Sequence, residues 1–469
     1  MRGWLTRALL ALVVIGACWG GAIWYWRAGN RSPDATDMIV WLLVLPLAVM
    51  TVLWLGRVLF KAIFAAPAVA LAVPAPAAPA AAPPPPPPPA LTVVATALRS
   101  PHGATPAALA ATLKDQKAHP ALDPELLDDS GYPQMSARAA IADASADGEA
   151  LREQVAIWMA LNGHAGVAFD DEQWRALALG HAVAVELGER AGLHAQLAGT
   201  PAPAASLPLL QLLPLWPADW QPAQVSAANA WLQHGAAQGG WPLERIVTPA
   251  AQPAHSAATP TAVLARLAQH VAEARTPLVA IVLSAASHIG NASVGQWSDK
   301  GSIFSARHPQ GLIPGEGAAG LLLADAAQAK LLAGDGHTSL HSLDAMRDAS
   351  ADSARRHDPA MLQYLSGQVL GYGSTEAAKV AMLVSDTGHR NSRTLELMAL
   401  AGVALPHLDA GDDVLRTGAA CGSCGDVPFM TALALAAHHA TELDAAVLCI
   451  GNEDPFRRSA ALIRPAAAA

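Results

Sequence analysis

The larger, C-terminal part of this chain reads as a layered α/β body. Apolar runs of strand length alternate with helical stretches, and the alternation occurs twice. A further observation concerns what precedes it. Residues 8–26 and 38–56 are two uncharged apolar runs of nineteen residues each, about 28 Å as helices, close to the hydrocarbon thickness of a bilayer. Six of the thirteen tryptophans (Trp4, Trp19, Trp24, Trp26, Trp41 and Trp54) lie in or beside these runs, several near the ends where an indole favours the headgroup layer. The runs predict two transmembrane helices. Arg2 and Arg7 precede the first, Arg57 and Lys61 follow the second, and the turn between them holds Arg27 and Arg31 with Asp34 and Asp37. Positive charge therefore favours both termini inside, with the folded body in the cytoplasm. An uncleaved signal followed by a single anchor is the other reading.

Residues 65–90 are almost wholly Ala, Pro and Val and end in seven consecutive prolines, Pro83 to Pro89. Seven residues of polyproline II span roughly 22 Å and resist collapse, so this segment reads as a semi-rigid stalk. The body beyond it carries Cys421, Cys424 and Cys449, too few for a disulfide framework and in keeping with a reducing compartment. The net charge of −9 and the lack of a basic cluster interleaved with aromatics argue against a nucleic-acid surface.

Within the body, residues 91–96 read as a short buried strand, followed by the turn Ser100-Pro-His-Gly and a helix over 105–117. Helices are expected around 148–161, 172–191 and 225–234, among Trp158, Trp174, Trp216, Trp220, Trp231 and Trp241. Residues 260–274 put Val263, Leu267, Val271 and Ala274 on one helical face. Strands follow at 278–284 and, after a polar loop, at 318–324, introduced by Leu312-Ile-Pro-Gly-Glu-Gly. The second round has a strand at 380–385, the segment Asp386-Thr-Gly-His389 and a helix over 392–401. A Gly-rich turn then opens the apolar helix 427–440, and strands at 445–450 and 460–464 close the chain.

These landmarks, in this order, resemble the thiolase fold in its ketosynthase form. The first strand with Ser100-Pro-His-Gly-Ala-Thr105, the Gly315-Glu316-Gly317-Ala318 segment, and the strand ending at His389 each have a counterpart there. The resemblance implies two similar halves. Residues 1–64 are then a membrane anchor, 65–90 a linker, 91–330 a first half with a Trp-rich insertion, and 331–469 a second half. It also implies a cysteine at the turn before helix 260–274, where this chain reads Pro253-Ala-His255-Ser256, and a second histidine where it reads Cys421-Gly-Ser-Cys424. Of the family's catalytic trio only His389 remains. A condensing enzyme needs a thiolate to accept the acyl group, and Ser256 is a poor substitute without an adjacent base.

The expectation is therefore a binding protein rather than an enzyme, with no cofactor and no metal site. Cys421-x-x-Cys424 could be a redox pair, but small residues filling a tight turn are the better reading, and one such pair is too few ligands for zinc. Glu316 is read as a carboxylate holding loop amides. The degenerate landmarks, with Gly131-Tyr-Pro-Gln-Met-Ser-Ala-Arg138 and the 163–174 segment, resemble bacterial type VI secretion accessory proteins, adaptors that hold a lipase effector and deliver it to the secretion spike. That resemblance implies an inner-membrane protein with protein partners. The stretch 207–241, with Trp216, Trp220, Trp231 and Trp241, is the expected partner patch. The alternative is an acyltransferase or hydrolase at the membrane using His389 with Cys421 or Ser256. A homodimer is open, since thiolase-like folds usually pair through a central strand.

Overall fold

A computed structural model describes residues 88–128, 131–140, 148–197, 207–248, 258–273, 276–332, 336–353 and 358–466, together with residues 19–21, 24 and 34. The chain divides into two units, Met1–Pro85 and Pro86–Ala469. Of the first unit, residues 19–21 and 24 are helical, with Trp19 and Trp24 exposed. The rest of both apolar runs, and nearly all of the stalk, lie outside the described residues. Among the described residues no helix is long and apolar enough to cross a membrane.

In the second unit the chain runs β1 (Leu91–Arg99), α1 (Pro106–Lys114), β2 (Ala121–Leu127), β3 (Pro133–Ser136), α2 (Gly148–Leu161) and α3 (Asp171–Gly192). It continues β4 (Leu210–Leu215), α4 (Pro222–Ala237), β5 (Ile246–Val247), α5 (Pro260–Glu273), β6 (Val279–Ser287), α6 (Asn291–Asp299), β7 (Glu316–Ala324) and α7 (Ala326–Ala329). Then come β8 (Thr338–Met346), α8 (Ala360–Tyr372), β9 (Val380–Ser385), α9 (Asn391–Ala404), β10 (Val414–Arg416), α10 (Thr417–Cys421), α11 (Val427–Leu443), β11 (Ala446–Gly451) and β12 (Arg457–Pro465).

Ten strands form one sheet in the order β10-β9-β11-β12-β8-β1-β7-β6-β4-β5. The order repeats. In the first half β1 is antiparallel to β7 and β7 to β6, while β6, β4 and β5 run parallel. In the second half β8, β12, β11, β9 and β10 do the same. The halves join through three residue pairs, from Leu91↔Leu340 to Val93↔Thr338.

Burial follows the duplication. α5 and α11 form a middle layer: Val263, Leu264 and Leu267 pack with Met430, Leu433 and Leu435 and with strands of both halves. α11 is apolar nearly all round because it is covered on every side. Outside the first half lie α3 and α4, through Val183, Leu187, Leu232 and Ala236. Outside the second lie α8 and α9, through Leu365, Val369, Leu397 and Leu400.

This duplication corrects the reading of residues 207–241 as an insertion. They are β4 and α4, the counterparts of β9 and α9. The extra segments are α1, β2, β3 and α2, placed before α3, and the loop with α6 between β6 and β7. β4 was not read from the sequence; it carries Pro214, opposite Leu283 of β6, while β5 pairs on the other side only with Leu210 and Gln211.

Candidate functional site

His389 lies just past β9, where the backbone leaves the sheet and enters α9. Its half-buried ring stands edge-on to Phe304 at 5.3 Å, and its Nε2 is buried without a hydrogen-bond partner. Burial holds its pKa below the ordinary imidazole value, with the Glu453 carboxylate pulling the other way. The imidazole is therefore neutral at pH 7 and has a free acceptor or donor nitrogen.

The residues before it are locked. Asp386 Oδ1 accepts the Asn452 amide at 2.7 Å and the Glu453 amide at 3.2 Å. Burial nevertheless pushes the Asp386 carboxyl up to about 7. Thr387 donates to Asn452 Oδ1 at 2.6 Å, and Glu453 takes the Gly388 amide and Arg390 Nε at 2.8 and 2.9 Å. The β11–β12 turn thus fixes the strand end that carries His389. Sequence reasoning passed over Asn452 and Glu453, although Gly451-Asn-Glu-Asp-Pro455 is a polar cluster directly after a buried strand.

The Cys421 loop is the next neighbour. The Thr417 hydroxyl donates to the Ser385 carbonyl at 3.1 Å and the Ala419 amide to the Thr387 carbonyl at 3.1 Å. Yet the thiol faces inward. Cys421 and Cys424 are both 0% exposed, packed with Ala286 and Val427. Burial pushes Cys421 up to about 12 and Cys424 well above its ordinary value. The loop turns at Gly422 and Gly425, with φ of 69° and 63° that only glycine adopts freely. It is closed from above by the Ile313 carbonyl, which accepts the Ser423 amide at 2.8 Å, and by Gly315, where any side chain would strike the Cys421 carbonyl. The pair is free rather than disulfide-bonded, and the reading as tight-turn filling agrees with this packing.

Glu316 is the other fixed point. Its fully buried carboxylate takes Arg175 through both oxygens at 2.7 and 2.5 Å, the Ala139 amide at 2.8 Å and the Ser287 hydroxyl at 2.9 Å. It holds a loop amide, as expected from the sequence, and every oxygen is spoken for. Arg175, its partner from α3, was not foreseen, because 141 residues separate the two.

Ser256 and His255 lie outside the described residues. The structure brings together His389 and the Cys421 loop, but the Cys421 thiol is fully buried and is not presented as an accessible nucleophile. Neither do these residues include a group of three or more His, Cys, Asp or Glu able to hold a metal. A shallow cleft of about 200 Å³ lies at the foot of the β2–β3 hairpin. Its buried carboxylate, Asp123, is already bonded to Ser136 and Arg138 at 2.8 Å each.

The four tryptophans of the expected partner patch are drawn into packing. Trp241 is 1% and Trp220 is 4% exposed. Trp216 stacks on Trp220 at 4.5 Å and donates to Asn229 at 2.8 Å. Trp231 stacks on His181 at 4.6 Å and meets Trp158 edge-on at 5.0 Å. Indoles seal α2 against α3 and α4 because three helices leave a gap that only large rings fill. As an exposed anchor surface, the patch is not supported.

One test of this geometry is direct. The three thiols of the body should resist Ellman's reagent in the folded chain at pH 8 and react fully in about 6 M guanidinium. Prompt labelling of Cys421 in the folded chain would contradict the buried placement.

No known family profile and no curated protein sequence matches this chain. Solved structures do. The ketosynthase from module 6 of the bacillaene synthase of Bacillus subtilis 168 superposes with a TM-score of 0.56 at 11% identity, covering 81% of this chain and 72% of that one. The oxazolomycin ketosynthase domain of Streptomyces albus JA3453 does so with a TM-score of 0.54 at 12% identity, covering 81% and 76%. The body therefore has the mixed α/β, thiolase-like architecture of ketosynthases.

Proposed function

We propose that this chain is a membrane-anchored, non-catalytic ketosynthase-like adaptor that binds a type VI secretion lipase effector and hands it to the secretion spike. The observation that carries the non-catalytic part is the state of its sulfur. Every body cysteine is buried, and burial raises each thiol above the range where a thiolate forms at neutral pH. The scaffold keeps its two halves, its His389 strand end and its buried Glu316, which build a rigid surface rather than a reactive one. The two apolar runs and the proline stalk support the anchored part.

Two measurements test it. The full chain, incubated with acyl-thioesters, should show no added acyl mass, whereas the rival acyltransferase reading requires a trapped acyl group on Ser256 or Cys421. A lipase and a spike protein encoded beside this chain should each be retained by it in a pull-down with purified components. Failure of both to bind sinks the adaptor reading.

A further inference from the structure

Between β6 and β7 the chain makes a detour that ends on the other half of the body. α6 has only Val294 buried, and its first turn is held by a residue of α3: the Glu172 carboxylate accepts the Ser293 amide at 2.9 Å and the Ser293 hydroxyl at 2.5 Å. Gly290 makes room for that carboxylate, since a side chain there would strike it. At Gly301, with φ of 60°, the helix gives way to a narrow loop that doubles back on itself. The Leu312 amide donates to the Ser302 carbonyl at 2.7 Å and the Phe304 amide to the Leu312 carbonyl at 2.8 Å. The two limbs are so close at Gly311 that any side chain there would meet the Ile303 carbonyl.

This loop lies on the second half without burying itself there. No residue from 300 to 312 is buried, and 306–310 are exposed. It is held down by Gln310, whose side chain accepts the Asn391 amide at 3.0 Å, and by Phe304, whose ring stands edge-on to His389 at 5.3 Å, while the Gly311 carbonyl faces the same imidazole. α9 has no side-chain cap of its own, so Gln310 satisfies one of its free amides from the other half. Past the loop the chain is fixed again, where the Ile313 carbonyl takes the Ser423 amide at 2.8 Å and β7 enters the core. A segment with exposed backbone and little apolar burial is the kind that opens while the rest of a fold stays intact. The closed state also carries a cost, because His389 Nε2 is buried with no hydrogen-bond partner and gains one when water reaches it.

We propose that residues 300–312 form a strap that shuts His389 away from solution and lifts as a unit, pivoting between the Glu172–Ser293 and Ile313–Ser423 bonds, to bare the imidazole. Phe304 is then an internal stopper on the ring, and Gln310 is the catch that keeps it in place. Lifting breaks one hydrogen bond to α9 and one ring contact, and it leaves the ten-stranded sheet and its helical layers as they are. The device stands apart from the adaptor reading, because contacts within the body alone set it.

The test treats the full chain, in dodecyl maltoside micelles at pH 7, with diethyl pyrocarbonate and follows the label by peptide mass at His389 and at His308, on the exposed tip of the strap. His389 is neutral at this pH, so cover rather than charge sets its rate. It should label at least about tenfold more slowly than His308, and Gln310→Ala, which removes one hydrogen bond at an exposed position, should speed it about fivefold with unchanged circular dichroism. In the parent the rate should not change with urea below about 1 M, since lifting the strap exposes little surface. The amides of Phe304 and Leu312 should exchange with deuterium at least about a hundredfold faster than those of β9. Labelling of His389 as fast as that of His308, a rate unmoved by Gln310→Ala, a rate that tracks global unfolding in urea, or strap amides as slow as those of β9 overturns the proposal.

Discussion

Arg175→Met should lower the unfolding free energy of the body by about 3–5 kcal/mol, the cost of leaving a buried charge without its partner. Glu316 is 0% exposed and sits where three parts of the chain meet: β7, the Ala139 segment and the end of β6 at Ser287. Removing the guanidinium leaves a carboxylate with one amide and one hydroxyl in a place water does not reach. Glu316→Gln on its own should cost less, because Arg175 is 17% exposed and can recruit solvent. The double variant should recover part of the loss, since both charges are then gone. Urea denaturation with an unchanged m-value would measure all three. A loss under about 1 kcal/mol for Arg175→Met would put this pair among surface ion pairs, against the burial described.

The second large effect is acid sensitivity through His181. Its ring is stacked on Trp231, its Nε2 is buried without a hydrogen-bond partner, and burial together with the nearby His234 lowers its pKa from 6.5 to about 4. Because the folded value lies below the unfolded one, the unfolded chain binds the extra proton between those values. Stability is therefore intact above pH 6.5 and declines as pH falls towards 4, by on the order of 3 kcal/mol at the lower end. Asp386 acts with the opposite sign. Its folded value is raised to about 7, so the stability it contributes is present below pH 3.8 and lost as pH rises through 7. Comparing the parent with His181→Phe separates the two, because phenylalanine keeps the stacking on Trp231 and removes only the titrating ring. The variant should lose clearly less stability than the parent between pH 7 and 4.5. Parallel curves would mean that the ring is hydrated.

The strands legible in the sequence were those buried on both faces. Residues 380–385 match β9 end for end, and β6, β7, β11 and β12 lie within a few residues of expectation, because continuous apolar runs admit few other readings. β8 escaped notice. It reads Thr-Ser-Leu-His-Ser-Leu-Asp-Ala-Met, and its polar residues are tolerated by pairing with β12 along its length. α8 was equally silent, since a helix with no charge shows no amphipathic contrast. His389, Cys421 and Glu316 were found as residues, but their states were not. Whether a thiol is a nucleophile depends on which way the loop turns, and that was decided by Gly315 pressing on Cys421 from 106 residues away in sequence, as the numbering shows.

From the order of residues alone came the two apolar runs, the proline segment and the α/β alternation, all local properties of composition and period, while the missing cysteine before α5 was read from the resemblance to ketosynthases. Only the folded chain drew Trp220 and Trp241 into the core, buried both sulfurs of the Cys421 loop, and buried the Arg393 and Glu396 side chains of α9. Those outcomes depend on contacts between distant segments, where the free energy of burial is settled by what lies on the other side of a side chain rather than by its neighbours along the backbone.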